Sequence, residues 1–116
     1  GQVATTCPMG RDVNLAGHPI RVAELVSTLA TPAFVARGSV HAPLSTVRTK
    51  ELIRQAFRHQ MDGTCFSLVE VLSTCPTNWG MPPADALGWL ERKMIPFYPL
   101  GVFKTPGGAD RAPRPL

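Results

Sequence analysis

The fold is decided by one stretch, residues 33–72, which reads AFVARGSVHAPLSTVRTKELIRQAFRHQMDGTCFSLVEVL. The apolar run Ala33–Arg37 predicts a short buried strand. From Leu44 to about Met61 the apolar residues recur with the spacing of a helix. The segment Cys65–Leu72 is apolar on both faces, as in a strand of a covered parallel sheet. Strand, helix and strand together predict one parallel βαβ unit with a right-handed crossover.

The long helix of this unit has one face that is more apolar than the other. Ile53, Phe57 and Met61 stack at i, i+4 and i+8, with Leu52 and Ala56 beside them. This spacing predicts that these side chains form the inner face. The opposite side carries most of the charge and is interpreted as a solvated face: Arg48, Lys50, Glu51, Arg54 and Arg58.

The segments before the βαβ unit predict a loop and a helix. Turn-forming residues fill positions 1–20, and Pro19 suits the first position of a helix that ends before Pro32. The predicted apolar face of this helix consists of Val22, Leu25, Val26 and Leu29.

The segments after the unit predict one more helix and then irregular structure. That helix runs from Pro83 to Met94, with an inner face of Ala86, Leu87, Leu90 and Met94. We expect Ile95–Phe103 to be irregular and the Pro/Gly-rich residues 105–116 to form a disordered tail. Residues 1–104 would then be the domain. Two strands make a poor sheet, so the chain has the character of half of a larger α/β domain.

Composition and charge argue against two classes of partner. Twelve Lys and Arg against eight Asp and Glu give a net charge of +4, but the basic residues are spread along the 116-residue chain and the aromatic residues are not interleaved with them. Nucleic-acid binding is therefore not expected. No apolar run approaches the roughly 18 residues that span a bilayer, so no membrane association is expected either.

The cysteines Cys7, Cys65 and Cys75 predict the redox compartment. Their number is odd and they form no CxxC pair, which supports neither a disulfide framework nor a self-contained zinc site. We therefore expect a reducing, cytoplasmic location. Cys75 follows a predicted strand, at the end where α/β sheets bind ligands. It could be a nucleophile or a metal ligand, although spacing alone favours an inert loop thiol.

Two charged residues in the predicted strands each allow two interpretations. Glu70 interrupts an apolar strand and is either an acid/base group or a structural acid bonded to Arg or a backbone N–H. Arg37 ends the first strand and either binds an anion or forms an ion pair with Glu70.

A family resemblance is carried by residues 66–104, FSLVEVLSTCPTNWGMPPADALGWLERKMIPFYPLGVFK. This run resembles the β subunit of 2-oxoacid:ferredoxin oxidoreductases of the 2-oxoglutarate or branched-chain type. Three upstream segments are similar to the same family and extend the resemblance over residues 1–104: GQVATTCPMGRD, AGHPIRVAELVSTL and FVARGSVHAP.

The resemblance implies the C-terminal part of a doubly wound domain that binds thiamine diphosphate and Mg²⁺. The family decarboxylates a 2-oxoacid, passes electrons through a [4Fe–4S] cluster to ferredoxin, gives the acyl group to coenzyme A, and pairs its β subunit with an α subunit. Gly1 and Gln2 match the end of a Gly-Gly-Gln loop beside the thiamine, and Cys75 matches a cysteine ligand of the cluster.

The same resemblance implies that most of the site is missing from this chain. The GDGD element that holds Mg²⁺ and a CxxC pair of cluster ligands are absent, and the glutamate that activates the cofactor belongs to another domain, so Glu70 does not take that role. We therefore expect a subunit fragment with no catalytic residue of its own, inactive alone. The alternative is a non-catalytic interaction or assembly module that retains half of the fold.

Overall fold

The computed structural model describes residue 3 and residues 7–107. Within that part, the chain contains both helices and strands. In order, they are α1 (Val13–Ala16), α2 (Val22–Ser27), β1 (Ala33–Ser39), α3 (Pro43–Met61), β2 (Phe66–Leu72), α4 (Pro76–Trp79), α5 (Pro83–Trp89), a π-helical turn (Leu90–Met94), α6 (Ile95–Phe97) and β3 (Gly101–Lys104).

The described strands form one mixed sheet in the order β2-β1-β3. β1 and β2 are parallel, with Ala33 opposite Phe66 and Ser39 opposite Leu72, and α3 is the connection between them. The α/β class and the parallel βαβ unit predicted for residues 33–72 are therefore confirmed. This architecture is compatible with half of a doubly wound domain.

The prediction that residues 95–103 are irregular is wrong, because part of this region forms α6 and β3. β3 pairs antiparallel with β1, and Gly101 lies opposite Arg37. The edge of β1 that faces away from β2 has backbone N–H and C=O groups, and buried groups of this kind need hydrogen-bond partners. β3 supplies these partners. A four-residue strand just after Pro99 leaves little periodic signal in the sequence.

Both faces of the sheet are covered, because successive side chains of β1 point to opposite sides. On one face Val35 packs with Ala23 of α2 and with Phe103 of β3. On the other face Phe34 and Ala36 pack against Leu52 of α3. All seven residues of β1 are buried as a result.

The predicted inner face of α3 is confirmed for Leu52 and Ala56, which pack against the sheet, and wrong for the row of Ile53, Phe57 and Met61. Ile53, Phe57 and Met61 are 38%, 65% and 84% exposed, whereas Thr49 and Leu52 are buried. On its buried side, α3 lies close to β1. The Thr49 hydroxyl donates to the carbonyl oxygen of Ser39 at 2.8 Å, on the side of α3 where Leu52 also packs against the sheet.

The other helices also differ from their predicted bounds and faces. α2 begins at Val22 rather than at Pro19, and Ala23 is its buried residue while Leu25 is exposed. A short α1 lies in the segment predicted as loop. The helix predicted from Pro83 to Met94 ends at Trp89 and continues as the π-helical turn. Residues 108–116, most of the predicted tail, lie outside the described residues.

Candidate functional site

Cys75 lies where the sequence placed it, three residues beyond the carboxyl end of β2. It precedes α4, and its carbonyl oxygen accepts a hydrogen bond from the Trp79 N–H at 3.0 Å. The Asn78 amide donates to the Cys75 sulfur at 3.1 Å. The thiol is free and its residue is half-buried, so the sulfur is held in a turn and remains partly accessible.

A thiol in this setting can be one ligand of a metal site, but the described residues do not complete one. Residues 3 and 7–107 contain no group of three or more His, Cys, Asp or Glu side chains that could hold a metal ion. Iron–sulfur clusters are usually held by four thiolates. Cys75 can therefore contribute one ligand at most, and the other ligands would come from outside this part of the chain.

The two other cysteines lie in different surroundings. Cys65 precedes β2 and packs against the cluster formed by Phe34, Ala36 and Leu52. The Cys7 carbonyl oxygen accepts the Gly10 N–H at 3.0 Å in a turn. Neither residue shares the position of Cys75 after the carboxyl end of a parallel strand. Gly1 and Gln2, the predicted cofactor-binding residues, lie outside the described residues.

Arg37 and Glu70 form an ion pair. This contact supports the structural interpretation of both residues over anion binding by Arg37 and acid/base chemistry by Glu70. Arg37 is fully buried, and its Nε donates to Glu70 Oε2 at 3.0 Å. Its Nη1 donates to Glu24 Oε1 at 3.0 Å and to the Pro99 carbonyl at 3.1 Å. The Ala23 N–H also donates to Glu70 Oε2, at 3.3 Å. The guanidinium thus joins α2, β1, β2 and the segment before β3.

The electrostatics of this network follow from its geometry. Burial by itself raises the pKa of Glu24, but the hydrogen bonds and positive charge of Arg37 outweigh it and hold that pKa below its ordinary value. Burial disfavours the charged form of Arg37 as well, and so lowers its pKa. The hydrogen bonds and charges of its two carboxylate partners outweigh burial, and the pKa lies above its ordinary value. Arg37 stays charged, and its donors are committed to protein acceptors rather than to an outside anion.

A second polar cluster lies at the carboxyl end of β1 and was not singled out from the sequence. The Ser39 hydroxyl contacts Nδ1 of His41, and a crevice of about 280 Å³ is lined by Ser39, Ser45 and Arg48 together with Pro96 and Pro99. The position of Ser39 at a strand end is the signal that could have found it. A catalytic triad would need a third group that orients the histidine, and none is seen beside His41 among the described residues.

The comparisons with known proteins find relatives for nearly the whole chain. It is 38% identical over 104 residues to the ketoisovalerate oxidoreductase subunit VorA of Methanothermobacter marburgensis (strain Marburg), and 38% identical over 104 residues to the protein of the same name from Methanothermobacter thermautotrophicus (strain Delta H). The matched region is 90% of this chain and 22% of each relative. The chain therefore spans about a fifth of the length of the curated relatives it matches.

No protein-family model matches the chain, and no solved structure matches it significantly. The relatives support the resemblance at one level: the chain is similar to part of an oxidoreductase subunit whose name contains a 2-oxoacid, ketoisovalerate. Both relatives are named subunit VorA, a different designation from the β subunit that was predicted. That finer assignment is not confirmed. No helix in the described part of the chain is long and apolar enough to cross a membrane.

Proposed function

We propose that this chain is part of a subunit of a cytoplasmic 2-oxoacid:ferredoxin oxidoreductase and supplies one thiolate, that of Cys75, to its [4Fe–4S] cluster. The observation that carries the proposal is the 38% identity to the ketoisovalerate oxidoreductase subunit over 104 residues. The placement of Cys75 beyond the carboxyl end of β2 agrees with it, because ligands of open α/β sheets bind at that end.

The surroundings of Cys75 fit a cluster ligand. Its sulfur is half-buried, and it accepts a hydrogen bond from the Asn78 amide at 3.1 Å. Hydrogen bonds to ligand sulfurs and limited solvent exposure are two of the features that set the reduction potential of an iron–sulfur cluster. The role of these residues would be to hold the thiolate in one orientation and to limit the access of water.

The remaining parts of the proposed site belong to the longer protein. Thiamine diphosphate with Mg²⁺ would supply the ylid that decarboxylates the 2-oxoacid, and the residues that hold its pyrophosphate are expected outside this chain. Gly1 and Gln2 would adjoin this cofactor. Other subunits, ferredoxin and coenzyme A would be the partners, and the 116-residue chain would be inactive by itself.

The proposal is tested by Cys75→Ser in the full-length enzyme, with Cys65→Ser as the matched control. We expect Cys75→Ser to lose cluster iron and ferredoxin reduction, because serine is a poor substitute for a soft sulfur ligand. Cys65→Ser should keep both, since Cys65 packs in the core beside α3. Iron content and the visible absorption of the cluster are the measurements. Equal iron in the wild type and in Cys75→Ser would contradict the assignment.

The inactivity of the isolated chain has its own test. Titration calorimetry of the 116-residue chain with thiamine diphosphate and Mg²⁺ should show no binding in the micromolar range. The reason is that the residues that grip the pyrophosphate are expected outside this chain. Micromolar binding would show that this chain carries the cofactor site and would overturn that part of the proposal.

A further inference from the structure

An aromatic pocket of about 390 Å³ adjoins the Arg37 network at Tyr98, whose ring lies 5.2 Å from the guanidinium, and includes Trp79 from the segment that follows Cys75. Its volume lies within the range of small-molecule sites, about 300–1,000 Å³. Its walls come from α4, α5, the π-helical turn, α6 and the segment before α2. The side chains that matter for binding are Pro19, Trp79, Trp89, Lys93, Phe97 and Tyr98.

The apolar walls are suited to a flat ring. The indoles of Trp79 and Trp89 lie 4.7 Å apart between centroids and are tilted by 46°. Phe97 and Tyr98 are packed edge to face, also at 4.7 Å. Aromatic side chains favour offset-stacked and edge-to-face contacts with another ring. A ring-shaped ligand would therefore make better contacts here than a compact aliphatic group of the same volume.

Besides the two indole N–H groups, two side chains of the pocket carry hydrogen-bond donors, Lys93 and Tyr98. The Lys93 ammonium has donors only. Burial raises the pKa of Tyr98, and the nearby charge of Glu70 raises it further, so the phenol keeps its proton at neutral pH. Among the described residues that line the pocket there is no carboxylate. A ligand that satisfies both donors must bring acceptors, and next to an ammonium the strongest acceptors are anionic.

The surroundings carry charges of both signs. The Arg21 guanidinium lies 4.5 Å from the centre of the Phe97 ring, a cation–π contact at the pocket wall. Glu24 and Glu70 of the core are both paired with Arg37, which leaves these three groups with a net charge of −1, equal and opposite to that of Arg21. The Lys93 ammonium, with no carboxylate among the described lining residues, therefore favours an anion over a neutral molecule of the same shape.

We propose that this pocket binds an aromatic anion, with its ring against Trp79 and Trp89 and its carboxylate or phosphate at Lys93. The proposal does not rest on the proposed function, since it involves neither Cys75 nor a cofactor of the oxidoreductase. Its failure would leave the cluster assignment untouched.

Intrinsic fluorescence gives a direct test, because the chain has two tryptophans and both line the pocket. The 116-residue chain would be titrated with phenylacetate and with phenyl phosphate, which do not absorb where tryptophan is selectively excited. We expect saturable changes in emission, and the tighter of the two probes identifies whether the natural anion is a carboxylate or a phosphate. No saturable change with either probe would overturn the proposal.

Two neutral or non-aromatic probes separate charge from shape. Phenylacetamide has the ring without the charge, and isobutyrate has the charge without the ring. Both should bind at least about tenfold more weakly than phenylacetate, the loss expected when a charge-assisted hydrogen bond or an aromatic contact is removed. Equal binding of phenylacetamide would refute the anion site, and equal binding of isobutyrate would refute the ring site.

Variants locate the binding in the pocket. Lys93→Met should weaken phenylacetate binding about tenfold or more, whereas Lys50→Met, on the exposed side of α3, should leave it unchanged. Trp79→Phe keeps a ring in place and should weaken binding only mildly, with calorimetry as the readout. The same affinity in Lys93→Met and Lys50→Met would place the anion elsewhere and overturn the proposal.

Discussion

β1 and β2 have the same length and a similar apolar character, yet they differ in how far their residues are buried. Every residue of β1 is buried, whereas in β2 the one fully buried residue is Leu72. β1 is paired on both edges and lies in the centre of the described sheet, and β2 forms its edge. Phe34 of β1 is 1% exposed and Phe66 of β2 is 50% exposed. Position in the sheet, rather than composition, therefore decides how much each strand contributes to stability.

The comparison also explains why the sequence of β2 looks more buried than the strand is. A strand apolar on both faces is expected where helices cover both sides of a parallel sheet. Here α3 and α2 reach β2 only partly, and Phe66 and Val71 stay exposed. This is the pattern expected when a strand belongs to a wider sheet. It agrees with the match to the ketoisovalerate oxidoreductase subunit, of whose length this chain covers 22%.

The largest effect should come from the buried charge of β1. Arg37→Met leaves Glu24 and Glu70 without their partner in a partly buried setting, and breaking a buried pair in this way costs about 3–5 kcal/mol. The free energy of unfolding in urea, followed by circular dichroism, measures it. The control is Arg54→Met, in an exposed pair with Glu51, where a small loss is expected.

A rescue variant makes the Arg37 result specific. Adding Glu24→Gln and Glu70→Gln to Arg37→Met removes the unpaired charges and should recover part of the lost stability. A triple variant that is no more stable than Arg37→Met would show that packing of the guanidinium against Tyr98 and Phe103, not charge, is what the network provides.

The two phenylalanines test the comparison between strands directly. Phe34→Ala should lower the free energy of unfolding by about 3–4 kcal/mol, because it empties a fully buried site between β1 and α3. Phe66→Ala removes a ring that is already half in water, and we expect less than half of that loss. Similar losses in urea titrations of both variants would mean that β2 is covered in solution, contrary to the structure.

The contact between β1 and α3 predicts a smaller effect. A Cβ added at Gly38 would overlap the Thr49 hydroxyl and come within 2.9 Å of the Thr49 Cβ. Gly38→Ala should therefore cost about 1–3 kcal/mol, as overpacking does in tight cores. Gly88→Ala, whose added methyl meets only the end of the Arg92 side chain, is the control and should be close to neutral. Thermal melting of both variants distinguishes local overpacking from a general intolerance of added methyl groups.

The smallest effect concerns pH. The pKa of Glu24 lies below its ordinary value of 4.5 in the folded state, so the unfolded chain takes up a proton first as pH falls. The Glu24 contribution to stability is therefore present above the unfolded pKa and is lost as pH falls through the folded pKa. Urea midpoints measured from neutral pH downward should fall less steeply for Glu24→Gln than for the wild type. Parallel curves would contradict the assigned pairing with Arg37.

The site was predicted in part. The position of Cys75 after the second strand follows from local pattern, since strand and loop signals lie within a few residues of it. The partnership of Arg37 with Glu70 was one of two open interpretations, and the parallel register that puts them opposite each other decided it. Glu24 was not foreseen as a partner, because it lies on α2, and the contact depends on how that helix packs. The aromatic pocket combines residues from positions 19 to 98, and no spacing rule joins them.

The sequence by itself determined the βαβ unit, because strand and helix periods are local properties and a right-handed connection between parallel strands is strongly preferred. It also determined where Cys75 lies relative to β2. Tertiary structure decided which face of α3 is buried, which segment completes the edge of β1, and which strand lies at the centre of the described sheet. Those outcomes depend on contacts between residues far apart in the chain, such as the approach of Thr49 to Gly38 and the bond from Arg37 to the Pro99 carbonyl. A local pattern can show that a segment has an apolar side, but packing determines what that side meets.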